Sequence, residues 1–319
     1  MKEFYVRDAS GHLDKALQSV FAVRSKQVRA KKNGEPYVAL QLADKTGCID
    51  AKLWHHVDIA LPIVAANEFL VVRGRLSKYN DRNELTIEKL RAARTDEVDP
   101  SDFLPKTEAD TDELWARLLQ YIESVQDEAI RALLKAFVDD EEIASRLKLA
   151  PAAKLMHHAY IGGLLEHIVS LCRMCEFASL AYSWVNRDML LAGAVLHDIG
   201  KIRELQYTTS LDYSDEGKLL GHINFGVQML RAKLATRPVA RETAVQIEHL
   251  ILSHHGSKDL GSPVEPCTPE AILFSLLDNL DAKAQAVGAT LRSRADAASD
   301  SFWTDVIPAF RRSIRLTQR

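Results

Sequence analysis

The sequence predicts a multidomain chain of mixed α and β class, a small β-barrel followed by an all-α half. Three observations predict it. Residues 20 to 91 break into short segments with partial period-two alternation and β-branched or aromatic content, separated by turn signals. Residues 95 to 113 carry eight acids, two prolines and one lysine, the composition of a boundary. From about Leu114, beginning with "LWARLLQYIESVQDEAIRALLKAF", apolar residues return every three or four positions, and Gly and Pro punctuate helices to the C-terminus.

The strand segments are "FAVRSKQVRA" (21–30), "YVALQLA" (37–43), "CIDAKLW" (48–54), "FLVVRGRL" (69–76) and "ELTIEKL" (84–90). Lys32-Asn33-Gly34, Asp44-Lys45-Thr46-Gly47 and Asn80-Asp81-Arg82-Asn83 supply turns between them. After the third strand, "HHVDIALPIVAAN" is long enough for a short helix. Five strands with one helix after the third is the pattern of the five-stranded Greek-key barrel called the OB-fold, which commonly binds single-stranded nucleic acid on one face.

Charge agrees with that division. Residues 1 to 95 hold 17 Lys and Arg against 11 Asp and Glu, a net of +6, whereas the rest hold 24 against 33, a net of −9. A basic segment favours polyanions through phosphate contacts and counterion release, although charge alone fits an ordinary solvated surface equally well. Lys31, Lys32, Arg73, Arg75, Lys78 and Arg82, near the turns, are candidates for phosphate contacts, with Arg73 and Lys78 preferred as substrate-binding residues. Tyr37, Trp54 and Tyr79 are candidates for base stacking, or else for the barrel core. The start "MKEFYVRDASGHLDKAL" lacks a basic-then-apolar signal pattern. No apolar run approaches the roughly 18 to 20 residues that span a bilayer, so no membrane association is expected and the expected location is the cytoplasm.

Eight of the eleven histidines fall between His157 and His255. His167 and His197 each lie one helical turn after a glycine, Gly163 and Gly193, where another helix or an ion could come close. His254 shares an apolar face with Ile247, Leu250 and Ile251, Asp278 stacks over Ala271 and Phe274, and His222 opens another helix. Singly, each reads best as a hydrogen-bonded core residue. Together, four or five helices deliver a His or Asp from otherwise buried faces, and a shared divalent ion would satisfy them all. Imidazole and carboxylate without thiolate suit Mn, Fe, Co, Ni or Mg better than structural zinc. Cys48, Cys172, Cys175 and Cys267 are too few and scattered for a disulfide framework, and Cys172 and Cys175 read as core thiols ahead of a zinc half-site.

The order His167, His197-Asp198, His222, His254-His255, Asp278 resembles the signature of the HD-domain metal-dependent phosphohydrolases. The strings "HHAYIGGLLEHI", "LHDIGK", "DYSDEGKLLGHI", "SHHGSKDLGSPVEPCTPEA" and "DNLDAK", downstream of an OB-type barrel, are similar to the bacterial 3′-to-5′ exoribonucleases of the YhaM type, over roughly residues 20 to 285. The resemblance implies a primary metal site on His167, His197, Asp198 and Asp278, and a second completed by His222, His254 and His255. Whether His255 binds metal, orients a ligand or contacts substrate stays open, and it is also a catalytic candidate. Two divalent ions are implied, Mn²⁺ favoured over Co²⁺, Fe²⁺, Ni²⁺ or Mg²⁺, to activate water and stabilise phosphoryl charge. Asp198 would bridge them and be the residue essential to catalysis. The implied reaction is hydrolysis of single-stranded RNA, or also single-stranded DNA, from the 3′ end to nucleoside 5′-monophosphates.

Further candidates flank these ligands. Lys201 is placed to reach a phosphate or assist the leaving group, or is only a helix-terminal cation. Lys258 and Ser262 are candidate substrate contacts in a loop beside the scissile phosphate, and His157 and His158 are further ones. The expected architecture is therefore multidomain α and β, an N-terminal five-stranded OB-fold β-barrel followed by an all-α HD-domain. Its expected parts are a nucleic-acid-binding barrel (1–95), an acidic linker with connecting helices (96–149), the HD domain (150–290) and a helical tail (291–319), and a homo-oligomer is compatible with them. Two other readings stay open. One is an HD-domain enzyme acting on a small or signalling nucleotide; the other is a non-catalytic single-strand-binding protein with a metal-stabilised scaffold.

Overall fold

The alternating segments form β1 (Ala16–Ala30), β2 (Pro36–Asp44), β3 (Gly47–Leu53), β4 (Phe69–Tyr79) and β5 (Arg82–Ala92), with α1 (Val57–Ala66) between β3 and β4. This is a computed structural model, and it describes residues 2–66, 68–79, 82–154, 159–207, 211–297 and 302–316. The strands close into a barrel in the order β1-β2-β3-β5-β4. β1 serves two neighbours: Ala16 to Ala22 pair with β4 and Ala22 to Ala30 with β2, with a register shift between Val23 and Ser25. Such a shift bends a strand and lets a sheet close on itself. β3 and β5 pair in parallel, which requires a crossover, and α1 with β4 provides it. Phe21, Leu42, Leu70, Leu76 and Leu85 are fully buried in the interior. The topology is that of the OB-fold, as the pattern of five strands and one helix predicts.

The acidic segment beyond residue 95 is not a free connector. Phe103 and Leu104 are buried, and the Phe103 ring meets Phe69 edge-on at 4.8 Å between centroids. The Lys45 amide donates to the Asp102 carbonyl at 2.9 Å. The first compact unit accordingly extends from Met1 to Pro105, past the boundary expected at residue 95. Acidic composition dominates this stretch, but the apolar side chains of Val98, Phe103 and Leu104 decide where it packs.

The second unit holds α2 (Thr111–Glu123), α3 (Glu128–Val138), α4 (Glu141–Leu149), α5 (Gly163–Ala181), α6 (Arg187–Leu196), α7 (Lys201–Glu204), α8 (Asp215–Leu234), α9 (Arg241–Ser253) and α10 (Pro269–Ala297). α2, α3 and α4 each start behind an aspartate, Asp110, Asp127 and Asp140, whose carboxylate accepts two amides of the first turn. α5 is buried on most of its circumference and packs against α2, α4, α6 and α10. Gly193 on α6 accommodates helices rather than an ion, since an added Cβ would meet Leu250 at 3.3 Å and Phe274 at 3.4 Å.

Two features depart from an all-α half. β6 (Leu205–Tyr207) and β7 (Leu211–Tyr213) form a two-stranded ribbon, too short to register as alternation in sequence. The expected helical tail ends with α10 at Ala297. The described residues 302–316 instead form isolated antiparallel bridges, Trp303 to Arg315 and Ile307 to Arg312, around Pro308, which lacks the N–H a helix needs. No helix among the described residues is long and apolar enough to cross a membrane.

Candidate metal centre

Four imidazoles are oriented by four different anchors. His197 and His254 are the residues that follow α6 and α9, where a helix leaves its last carbonyls without partners. The His254 Nδ1 donates to the Ile251 carbonyl at 2.8 Å, and the His197 Nδ1 lies 3.2 Å from the carbonyls of both Gly193 and Ala194. Each ring thus caps its own helix. His167, inside α5, donates from Nδ1 to Asp281 Oδ2 at 2.8 Å, and Asp281 Oδ1 accepts from the Ser170 hydroxyl at 2.6 Å. His222 follows Gly221, whose φ of 71° interrupts α8. Glu204 Oε1 accepts both the His222 amide, at 2.9 Å, and its Nδ1, at 3.0 Å. Because every Nδ1 gives its proton to an oxygen, every Nε2 is left to face the centre.

Asp198 stands between these rings. Its Oδ2 lies 3.3 Å from His197 Nε2 and 3.9 Å from His167 Nε2, whereas its Oδ1 lies 3.4 Å from His222 Nε2 and 3.6 Å from His254 Nε2. Asp278 Oδ1 is 3.2 Å from His167 Nε2, which is itself 3.2 Å from His197 Nε2. Two groups result, His167 with His197 and Asp278, and His222 with His254 and His255; within each, the ligand atoms lie within 4.8 Å of one another.

The donors fit divalent cations on two counts. Atoms that each stand about 2.1 Å from a shared cation, at tetrahedral or octahedral angles, are about 3.0–3.4 Å apart. His167 Nε2 meets Asp278 Oδ1 and His197 Nε2 at 3.2 Å, and Asp198 meets His197 and His222 at 3.3 and 3.4 Å, while His197 Nε2 and Asp278 Oδ1 stand wider at 4.0 Å. Second, the buried side-chain polar atoms without a hydrogen-bond partner among the described residues are Asp198 Oδ1, His222 Nε2, His254 Nε2, His255 Nδ1 and Ser262 Oγ. Four of these five belong to the cluster. Unpaired buried groups cost about 1–3 kcal/mol each, which a bound cation would offset.

The electrostatics are those of buried charges held by one another. Burial opposes ionisation of Asp198, but Lys201, His197 and His222 hold its carboxyl well below the usual carboxylate range. Burial likewise lowers Lys201, and Asp198, whose Oδ2 accepts from Nζ at 2.5 Å, outweighs it and holds the ammonium. Burial lowers His167 too, yet hydrogen bonds to Asp278 and Asp281 raise it to about 9. His167 in turn holds Asp278 below the usual range against burial. At His254 and His255 burial prevails and keeps the rings neutral.

The structure thus brings together His167, His197, Asp198, Lys201, His222, His254, His255 and Asp278. Lys201 opens α7 with its side chain only 13% exposed, turned toward Asp198 rather than capping a helix end in solvent. Ser262 is buried, next to Gly261, where an added Cβ would come within 3.3 Å of His255 Nδ1. Lys258 is exposed on the short turn Lys258–Leu260. Arg73 and Lys78 are exposed on β4, in the other compact unit. Tyr37 and Trp54 are half-buried and stack on each other at 4.5 Å. His157, His158 and the side chain of Tyr79 lie outside the described residues. Cys172 and Cys175 are fully buried, and burial pushes both thiols up, so they pack as neutral side chains.

Sequence reasoning assigned no role to Asp281 and Glu204, which orient ligands without belonging to either group, or to Ser170, which holds Asp281. One signal was present: Asp281 lies one helical turn beyond Asp278, and Ser170 one turn beyond His167.

The HD domain family model matches residues 164–283, the stretch from α5 into α10 that carries the whole cluster. The 3′-5′ exoribonuclease YhaM of Oceanobacillus iheyensis is 35% identical over 260 residues, covering 81% of this chain and 81% of that protein. YhaM of Bacillus velezensis is 34% identical over 268 residues, covering 84% of this chain and 85% of that protein. YhaM of Bacillus subtilis is 34% identical over 252 residues, covering 79% and 80%.

Proposed function

The chain belongs to the family of the YhaM 3′-5′ exoribonucleases, and from that membership we propose that it shortens single-stranded RNA from the 3′ end, releasing nucleoside 5′-monophosphates. Single-stranded DNA is a further candidate substrate, and two divalent ions, Mn²⁺ foremost, are the proposed cofactors. The observation that carries this reading is the division of Asp198, with one oxygen toward His197 and the other toward His222 and His254.

His167, His197, Asp278 and Asp198 Oδ2 would hold one ion, and His222, His254, His255 and Asp198 Oδ1 the other. When bound, such ions supply Lewis-acid stabilisation of phosphoryl charge and a water acidic enough to act near neutral pH. Asp198 keeps the two groups at a fixed separation. Lys201 steadies the Asp198 carboxylate and keeps a positive charge at the wall of the site, where it can also meet a phosphate oxygen. His255, held neutral by burial, adds a ring nitrogen that can bind or accept a proton. Ser262 and Lys258 are proposed to contact the substrate backbone near the site, and Arg73 and Lys78 to hold phosphates on the barrel, whose residues carry the basic excess.

The test uses end-labelled single-stranded RNA with a free or chemically blocked 3′ end, with and without Mn²⁺, for the wild type and Asp198→Ala. Stepwise shortening is expected only with the free end, the metal and the wild type. Cleavage of the blocked RNA at internal positions would overturn the exonuclease assignment.

A further inference from the structure

A cavity of about 550 Å³ adjoins the metal cluster, between α8, α9 and the loop that reaches Pro263. At one end it is lined by His222 and His255; nine residues further along α8, about 13.5 Å of helix, it is lined by Arg231. The volume lies within the range of small-molecule sites, about 300–1,000 Å³. The two cavities around Asp140 and Lys233 in the same unit touch no residue of the cluster.

The lining has a definite chemistry. Leu220, Ile223, Val227, Leu252 and Pro263 make the walls apolar. Both carboxylates on the lining are already engaged, Glu204 by His222, and Glu248 by Arg231 at 2.6 and 3.1 Å. Leu220 remains 48% exposed two residues before a cluster histidine, an apolar surface with a polar centre beside it. A nucleotide is divided in the same way, with an anionic phosphate at one end and an apolar ring face at the other.

We propose that this cavity receives the base and sugar of the 3′-terminal nucleotide while its phosphate lies at the metal cluster. The proposal rests on the exoribonuclease reading and adds where that substrate is gripped. Leucine, isoleucine, valine and proline touch the faces of a ring and do not read its hydrogen-bonding edge. These apolar walls therefore grip any of the four bases, as stepwise trimming of an arbitrary sequence requires, and among the described lining residues Asn224 is the one uncharged polar side chain outside the histidines.

Calorimetric titration of the full, Mn²⁺-loaded chain with adenosine 5′-monophosphate and with ribose 5-phosphate tests it. The nucleotide should bind at least about tenfold more tightly, because only it carries the base. Leu220→Asp and Leu252→Trp should each bring that ratio close to one, with metal content and ribose 5-phosphate affinity as in the wild type. Leu220 is half-exposed, so its substitution leaves the core intact. Equal binding of both probes by the wild type, or a ratio that survives both substitutions, overturns the proposal. Shortening of free-ended RNA, measured in parallel, separates the two claims. Shortening without base-dependent binding overturns the subsite alone, and no shortening overturns the reading beneath it and the subsite together.

Discussion

Asp281 accepts the Nδ1 proton of His167 at 2.8 Å, and a residue outside both ligand groups thereby decides which nitrogen of that ring faces the centre. Supports of this kind typically change metal affinity 10- to 100-fold. Asp281→Ala should therefore weaken one ion by roughly 10- to 100-fold, and Asp281→Asn, which can still accept the proton, by less. Titration with Mn²⁺ of the metal-free chain would show the two classes of site. Unchanged affinity for both ions in Asp281→Ala would refute the support.

Glu204 plays the corresponding part for His222 in the other group, holding both its amide and its ring. Glu204→Ala should lower the proposed load of two ions per chain toward one, leaving the His167 group loaded. Elemental analysis after dialysis reads this directly. Loss of both ions together would mean that the two groups do not load separately.

At Gly200, an added Cβ would lie 2.0 Å from the His222 carbonyl oxygen and 2.7 Å from the Gly226 amide nitrogen, backbone atoms that cannot turn aside. Gly200→Ala should therefore destabilise the helical unit by about 3 kcal/mol, the upper end of ordinary overpacking, and displace His222. Thermal denaturation should show a drop of roughly 2–4 °C per kcal/mol. A melting temperature equal to that of the wild type would contradict the packing described.

Glu97 receives both terminal nitrogens of Arg91 at 2.7 Å and the Arg94 amide at 2.9 Å, and the Arg91 hydrogen bonds pull its carboxyl from 4.5 down to about 2. The folded state thus favours the charged carboxylate. Its contribution is present in full above pH 4.5 and is lost as the pH falls toward 2. The melting difference between the wild type and Glu97→Gln should be greatest at neutral pH and close progressively below pH 4.5. A difference that stays constant across that window would rule out the linkage.

Arg73 and Lys78, exposed on β4, are proposed to contact phosphates. Replacing both with alanine should reduce the slope of log affinity for single-stranded RNA against log salt by about 1.4, roughly 0.7 for each phosphate that is no longer neutralised. Hydrolysis of a dinucleotide, which carries a single internucleotide phosphate, should lose less than the binding of long RNA does. A salt slope equal to that of the wild type would move the RNA path elsewhere.

Much of this architecture is legible in the chain. Alternation in five short segments, with one helix after the third, is enough for the barrel, because side chains in a strand point alternately in and out. The ligands are legible for a related reason: His167, His197, His254 and Asp278 sit on faces that are otherwise apolar, where an unpartnered polar group is costly. The extension of the barrel unit to Pro105 was hidden because the acids of this stretch outweigh Val98, Phe103 and Leu104 in composition, although these apolar residues carry the packing energy.

The sequence by itself determined which residue types are available to the centre and on which helices they lie. Only the tertiary structure decided how Asp198 divides its oxygens and that Asp281 and Glu204 are the groups that orient the rings of His167 and His222. The physical reason is distance along the chain. His167 and Asp281 are 114 residues apart, and His222 and Glu204 are 18 apart. Helical periodicity relates positions three and four apart, whereas these pairs exist only because α5 packs on α10 and α7 on α8.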